Sequence, residues 1–295
     1  QFGDYLTAVG TGTTTITASQ PGNAFYQAAP DVSRTLTVNA ALPAVSTVSV
    51  VPVTPSTATS GGANVWDGGS VVTERGVCWS TSPNPTVANS KTLDGSGTGS
   101  FTSTITGLVG NTTYHVRAYA RNSEGYGYGG NTTFIAPVDG VWAVNAGGSW
   151  PVTTNWTGGQ SPNGLGSTAN FATLNITGNR TVTLDTPVTV SAMVFGDTTA
   201  SHNWTLNTGT GGSLALDAVT GTPNIAVNNQ SATLGVALAG TQGLSKSGAG
   251  ELVLAGSNTY TGVTTVTDGR LTITDATMLN STATGGGIVV SPSGT

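Results

Sequence analysis

Residues 246–273 read KSGAGELVLAGSNTYTGVTTVTDGRLTI, and this run limits the fold more than any other part of the chain. Short stretches of alternating apolar residues are broken by corners of Gly, Asn, Ser and Asp. Only Lys246, Glu251, Asp268 and Arg270 carry charge. Segments this short cannot bury an apolar face alone, so a neighbour of the same kind must stack on each. The pattern recurs in VTLD (182–185), WTLN (204–207), IAVNN (225–229), LVLA (252–255), LTIT (271–274) and IVV (288–290). Leu184, Leu206 and Val227 follow at about 21 residues, as Ile273 follows Leu254, which predicts solenoid coils of that length. VTVSAMVF, SLALD, TLGVALAG and VTTVT would form the other faces of each coil. Leu184, Leu206, Leu252, Leu254, Leu271 and Ile273 are expected inside, with Gly and Asn at the bends.

Composition agrees with an all-β chain. Charged residues are 7% of the sequence, against roughly 25% in an ordinary soluble domain. Thr and Ser supply the polar surface instead, and β-branched Thr suits a pleated, half-buried strand. Helical periodicity over ten or more residues is absent. The net charge is −5 and the eight Lys and Arg residues are scattered, which excludes a nucleic-acid partner that would need clustered cations. No apolar run reaches the roughly 18 residues of a membrane span. The single cysteine, Cys78, excludes an intrachain disulfide framework and is expected as a small core residue of a strand. The opening QFGDYLTAVG reads as the middle of a domain, so a longer protein is expected. The Asn-x-Ser/Thr triplets, such as those at Asn111, Asn155 and Asn203, are expected by chance in so Asn- and Thr-rich a chain.

Three segments follow. In 1–40, TTTITAS and SRTLTVN flank a Pro-Gly-Asn turn and predict a hairpin. In 41–137, STVSVVPV, GGSVVTERGVCWS, GSFTSTITGL, TYHVRAYARN and YGGNTTFIAP have the turn-separated spacing of a β-sandwich. Period-2 alternation puts Tyr114, Val116, Ala118 and Ala120 on one face of TYHVRAYARN, and His115, Arg117, Tyr119 and Arg121 on the other. Leu108 stands six residues before Tyr114 across GNTT, the spacing of a corner where a tyrosine hydroxyl bonds back to its loop. Segment 138–295 is the predicted solenoid.

These motifs resemble known surface modules. GTTTITASQPGN…Y…A in 1–40 resembles the end of a bacterial Ig-like repeat. RGVCWS with YHVRAYARNSEGYGYG resembles a fibronectin type III-like module over 41–137. Lys246, Gly248, Gly250, Leu252, Leu254, Gly256, Asn258, Thr259, Tyr260, Thr261, Gly262, Thr264, Val266, Gly269 and Leu271 fill the pattern of the autotransporter-associated β-strand repeat of bacterial surface passengers. The Trp-rich GVWAVNAGGSWPVTTNW resembles the entry segment that often precedes such repeats. The resemblance implies a right-handed parallel β-helix, exported and either displayed at the cell surface or secreted.

Chemistry has little to build on. Glycoside hydrolysis needs two carboxylates facing one cleft, roughly 5–10 Å apart. Asp185, Asp197, Asp217, Glu251, Asp268 and Asp275 instead fall mostly at strand ends or in turns. Lys246 and Arg270 are too sparse for a lyase base beside acidic metal ligands. His115 and His202 fall in different predicted domains, and no Ser-His-Asp set or zinc site is legible. Calcium could be held only at corners such as FGDTT or VTDGR; no other cofactor is expected. Trp142, Trp150 and Trp156 lie within fifteen residues and offer two readings, a hydrophobic cap on the first coil or a sugar-stacking site. The expectation is a non-catalytic structural or adhesive surface protein acting as a stalk, filament or matrix component, with a carbohydrate-binding or carbohydrate-active β-helix as the alternative. Its expected partners are neighbouring copies or further domains, packed against the rung at 288–290, and surface glycans or ligands on host or other cells.

Overall fold

A computed structural model describes residues 7–274 and the strand Gly287–Val290. It is built of strands, with one 3-10 turn at Thr153–Asn155 as the helical element among the described residues.

The predicted hairpin is present. Gly12–Gln20 pairs antiparallel with Ala29–Val38, with an irregularity between Ala18 and Gln20. Gly22 turns the chain at φ 70°, and the Asn23 side chain accepts from the amides of Phe25 (2.9 Å) and Tyr26 (3.0 Å). Thr13 meets Thr37 and Thr17 meets Ser33 across the pair. Val32 and Leu36 remain exposed.

Two antiparallel sheets form the sandwich. One holds Ala44–Thr54, Thr57–Trp66 and Phe101–Thr106 in that order. The other runs Thr132–Ile135, Thr113–Asn122, Glu74–Ser80, Ser90–Lys91, with Gly125–Tyr128 also paired to Thr113–Asn122. Thr57–Trp66 carries no alternation through SGGANV, and for that reason the sequence conceals it. Gly61 is obligatory there, because an added Cβ would stand 2.0 Å from the Phe101 carbonyl oxygen. The segment expected to begin at Gly68 becomes strand only at Glu74, since Asp67-Gly68-Gly69 makes a turn with φ 69° and 81° at its glycines.

The tyrosine corner forms as its spacing predicts. The Val109 amide donates to Tyr114 Oη at 3.1 Å, and the Tyr114 ring stacks on Phe134 at 5.8 Å. Val116, Ala118 and Ala120 are buried with Tyr114. Tyr119, expected on the outward face, keeps that face but is fully buried. Its hydroxyl donates to the Thr92 carbonyl (2.6 Å) and to Glu74 (3.0 Å), and Lys91 lies over its ring.

From Gly140 onward the strands make three parallel sheets. The first carries Gly148–Ser149, Arg180–Leu184, Trp204–Thr208, Ser231–Leu234, Glu251–Leu254, Arg270–Ile273 and Gly287–Val290. The second carries Pro187–Val190, Ser213–Leu216 and Leu238–Ala239. The third carries Gly140–Val141, Thr168–Asn170, Ala192–Phe195, Asn224–Val227, Leu244–Ser247 and Thr264–Val266. The chain visits them in turn, which is a parallel β-helix. Leu184, Leu206, Leu252, Leu254, Leu271 and Ile273 are all fully buried, as expected.

The uniform period is corrected. Leu206 pairs with Val182 below it and Leu234 above it, and the ladder continues to Leu254, Ile273 and Val290. These steps are 24, 28, 20, 19 and 17 residues. Val227 belongs to the third sheet, above Phe195, and is no partner of Leu206. Coils of one repeat type hold constant strands but variable corners, so spacing read between apolar residues mixes faces. VTVSAMVF likewise turns a corner at Ser191 and supplies strands to two sheets.

Stacking like on like drives this region. In the first sheet Val182, Leu206, Leu234, Leu254 and Ile273 align, beside Trp204, Ala232, Leu252 and Leu271. Each fully buried Leu or Ile contributes about 1.5–3 kcal/mol relative to exposure. Where the second sheet ends, the N-T-Y of the repeat replaces a strand. Leu238 N donates to Asn258 Oδ1 (2.9 Å), Thr259 N donates to the Leu238 carbonyl (2.8 Å), and buried Tyr260 shares a 2.7 Å hydrogen bond with Thr264.

Candidate functional site

The Trp segment presents no open ring face. Trp142, Trp150 and Trp156 are 0%, 1% and 2% exposed. Trp150 and Trp156 lie 4.9 Å apart between centroids, Trp142 and Trp156 5.0 Å, and all three pack on Phe171. Their indole N–H groups donate inward, Trp142 to Ala146 O (3.2 Å), Trp150 to Pro162 O (3.0 Å) and Trp156 to Trp150 O (2.7 Å). A sugar stacks on an open ring face, and these rings present none. Of the two readings, this burial fits the hydrophobic cap: the rings fill the first coils of the solenoid, where its strands are only two or three residues long. Phe171 then stacks on Phe195 at 5.0 Å and 3°, passing the aromatic core to the aliphatic ladders.

The acids act at corners. Asp185 accepts from Ser149, from Thr183 Oγ1 (3.2 Å) and from the Thr210 amide of the next coil (3.3 Å). The Ser149 bond leads in holding its carboxyl below the usual carboxylate range. Asp217 accepts from the Thr241 amide (2.9 Å), again one coil on. Glu251 receives Arg270 Nε (3.2 Å) and the Thr272 hydroxyl, and Asp268 caps its own turn through Gly269 N (2.7 Å). Asp275 lies outside the described residues.

Asp197 is the most heavily engaged. Its buried carboxylate accepts from the amides of Ile176, Thr199, Ser201 and His202 and from the Thr199 and Ser201 hydroxyls. Burial pushes its pKa up, but the Ser201, Thr199 and His202 donors outweigh that and hold it well below the usual range. Asn229 ties the same residue's backbone to the next coil at both N and O.

The fold thus brings a Ser, a His and an Asp together where the sequence suggested none. Ser201 Oγ lies 2.8 Å from Asp197 Oδ2 and 2.7 Å from His202 Nδ1. In a nucleophilic triad the acid orients the imidazole through the nitrogen remote from the serine. Here Asp197 stands on the same side, 3.9 Å from the nitrogen that meets Ser201, so the set is a corner clamp. His115, the other histidine, is half-buried and bonds Asn131 (3.0 Å). Cys78 is fully buried, as expected, and burial, partly opposed by Arg117, pushes its thiol up to about 11. No group of three or more His, Cys, Asp or Glu residues suited to a metal ion occurs among the described residues. At FGDTT, the amide and hydroxyl donors surrounding Asp197 take the oxygens a cation would need. No helix of the described residues is long and apolar enough to cross a membrane.

Lys246 is the residue whose role the sequence did not show. It stands in the third sheet's inward ladder, between Ile225 and Val266, and is fully buried. Its ammonium donates to the carbonyls of Ser247 (2.9 Å), Gly248 (2.7 Å) and Asp268 (3.0 Å), and so ties two successive coils. Burial lowers its pKa, with Asp268 opposing. The K-x-G spacing was the available signal: a lysine two residues before a left-handed glycine (Gly248, φ 77°) can curl onto the corner's own carbonyls.

Comparison with known proteins bears on this region first. Residues 244–273 match the passenger-associated-transport-repeat family. The chain is similar to the adhesin BmaC autotransporter of Brucella suis biovar 1 (strain 1330), 40% identical over 103 residues. That match spans 35% of this chain and 3% of the relative's length. Solved structures with some likeness include chicken CNTN1 domains FN1–FN3 (18% identity, 43% of each chain, TM-score 0.29). Titin domains A168–A170 also match (21% identity, 43% of this chain, 41% of that one, TM-score 0.27). The repeat is of a kind associated with transported passengers, which agrees with a location at the cell surface or outside the cell.

Proposed function

We propose that this segment is a non-catalytic part of an adhesive surface passenger, in which the solenoid serves as a stiff stalk and the sandwich as a display module. The observation that carries this reading is the use made of polar groups in the solenoid. Asp185, Asp197, Asp217 and Lys246 all bind main-chain groups, several of them in the neighbouring coil. Such groups resist separation of coils and offer no paired acid and base to a substrate. Seven strands in the first sheet, at about 4.8 Å per rung, give roughly 30 Å of ladder.

Expression of the chain on the surface of a non-adherent bacterium tests the adhesive reading. Increased attachment to cells or matrix supports it, and attachment no greater than that of the bare strain contradicts it. Assays against a panel of polysaccharides test the non-catalytic reading. Turnover abolished by Asp→Asn at a single solenoid position would overturn it in favour of a carbohydrate-active β-helix.

A further inference from the structure

The sandwich carries a face unlike the rest of this charge-poor chain. On the outer side of its five-stranded sheet, cross-strand pairing places Glu74 beside Arg121, Cys78 beside Arg117 and Lys91, and Arg121 beside Tyr126. Three of the eight Lys and Arg residues lie on this side, opposed there by Glu74. The Arg117 guanidinium stands 4.7 Å from the Tyr128 ring centroid, and that of Arg121 stands 5.1 Å from Tyr126. Both are thereby ordered before any ligand arrives.

Their donors remain open. Arg117 Nε donates to the Gly129 carbonyl (2.9 Å), and its two Nη groups make no hydrogen bond among the described residues. Arg121 is 51% exposed and reaches Glu74 only at 4.0 Å. Glu74 is instead engaged by Lys91 at 2.9 Å and by the Tyr119 hydroxyl at 3.0 Å. A pre-oriented guanidinium with a vacant fork fits the planar oxygen pair of a carboxylate or the oxygens of a sulfate. Arg117 and Arg121 are four residues apart on one strand, so about 13 Å separates them. One small anion cannot span that gap; a chain with acidic groups at intervals can.

We propose that this face binds an acidic polysaccharide, with Arg117 and Arg121 each taking one carboxylate or sulfate. On the same face Ser80 pairs with His115, whose Nδ1 bonds Asn131 at 3.0 Å, and these side chains supply hydrogen-bonding partners suited to sugar hydroxyls. A net charge of −5 and only three cations on the face disfavour a nucleic acid, whose phosphates demand denser neutralisation. The inference names a ligand class for the adhesive reading and rests on it for the extracellular setting.

The test is binding of the purified chain to immobilised heparin and polygalacturonate at low salt, with neutral dextran and a polyadenylate strand as comparisons. Binding to at least one of the two acidic polysaccharides is expected, weakening as salt rises. Arg117→Gln with Arg121→Gln should weaken it at least tenfold, while Arg180→Gln with Arg270→Gln should leave it unchanged. If the first pair fails to fold, protection of Arg117 and Arg121 from phenylglyoxal by bound heparin in the native chain reads the same contact. Failure to bind either acidic polysaccharide, equal binding by the folded double variant, absence of protection, or tighter binding to polyadenylate would each overturn the proposal. Cell attachment that survives Arg117→Gln with Arg121→Gln would sink this site and leave the adhesive reading standing.

Discussion

The sandwich and the solenoid are both strand-built and poor in charge, yet they use their few polar side chains in opposite ways. In the sandwich, Lys91, Arg117 and Arg121 lie over tyrosine rings on an outward face. In the solenoid, Asp185, Asp197, Asp217 and Lys246 turn toward main-chain groups at the corners. The difference follows from connectivity. An antiparallel sandwich pairs much of its backbone within each sheet, and although Arg75 and Asn122 serve main-chain carbonyls, Arg121 is left for display. A solenoid turns a corner two or three times per coil; main-chain bonds such as Gly209 N to the Leu184 carbonyl satisfy part of each corner, and side chains such as Asp197 and Lys246 satisfy much of the rest.

Substitutions can break that contrast, and the largest effect is expected in the solenoid's apolar ladder. Leu254→Asp places a carboxylate between Leu234 and Ile273 with no partner, and should destabilise the solenoid by more than about 4 kcal/mol. Denaturant unfolding followed by the fluorescence of buried Trp142, Trp150, Trp156 and Trp204 reads this. An unchanged midpoint would refute the stacked core.

Trp156→Ala should cost about 3–5 kcal/mol by opening a cavity against Trp142, Trp150 and Phe171. If the rings instead served sugar binding, stability would barely change.

Asp197→Asn should cost about 2–3 kcal/mol near neutral pH, because an amide matches fewer of the donors around that carboxylate. The sign of its pH dependence follows from the depressed pKa. A carboxyl held below its unfolded value stabilises fully above that value, about 4, and loses its contribution as pH falls toward the folded one. The melting temperatures of wild type and Asp197→Asn should therefore converge below about pH 4. A gap that widens on acidification would contradict the assignment.

Lys246→Met keeps the length of the side chain but abandons three carbonyls, and should cost about 1–2 kcal/mol. Replacement of a buried charge by an apolar group can itself be favourable, which holds this effect below that of Leu254→Asp. Tyr114→Phe, the sandwich counterpart, removes one hydrogen bond to Val109 N and should cost about 1 kcal/mol in thermal melts.

Legibility in the sequence tracked the same division. Alternation within a strand is local, so the inward Leu and Ile residues of the solenoid, the hairpin and the Tyr114 corner could all be read directly. Register between coils is not local. Leu184, Leu206 and Val227 look equally spaced, yet Val227 lies on another face, because the corner between the second and third sheets lengthens from the single Ser191 in one coil to residues 217–223 in the next. The Trp cluster could be read either way, since exposure of a ring depends on coils that only the fold supplies. Lys246 and Asp197 were legible as residues of a motif and a turn, but not as main-chain ligands, because their partners lie up to 22 residues away in the next or previous coil. The Arg–Tyr face, with Glu74 and Lys91, needed four strands brought side by side.

The central claim is that residues 180–273 form successive parallel rungs. Thr181, Thr205, Thr233 and Val253 occupy equivalent outward positions on four consecutive rungs. Nitroxide labels introduced in pairs at Thr181 with each of the others, read by electron paramagnetic resonance, test it most directly. The separation should grow by about 5 Å per rung, to roughly 14 Å for the pair at 181 and 253. Distances that fail to rise in that order, or a pair at 181 and 205 more than about 20 Å apart, would contradict the stacked solenoid.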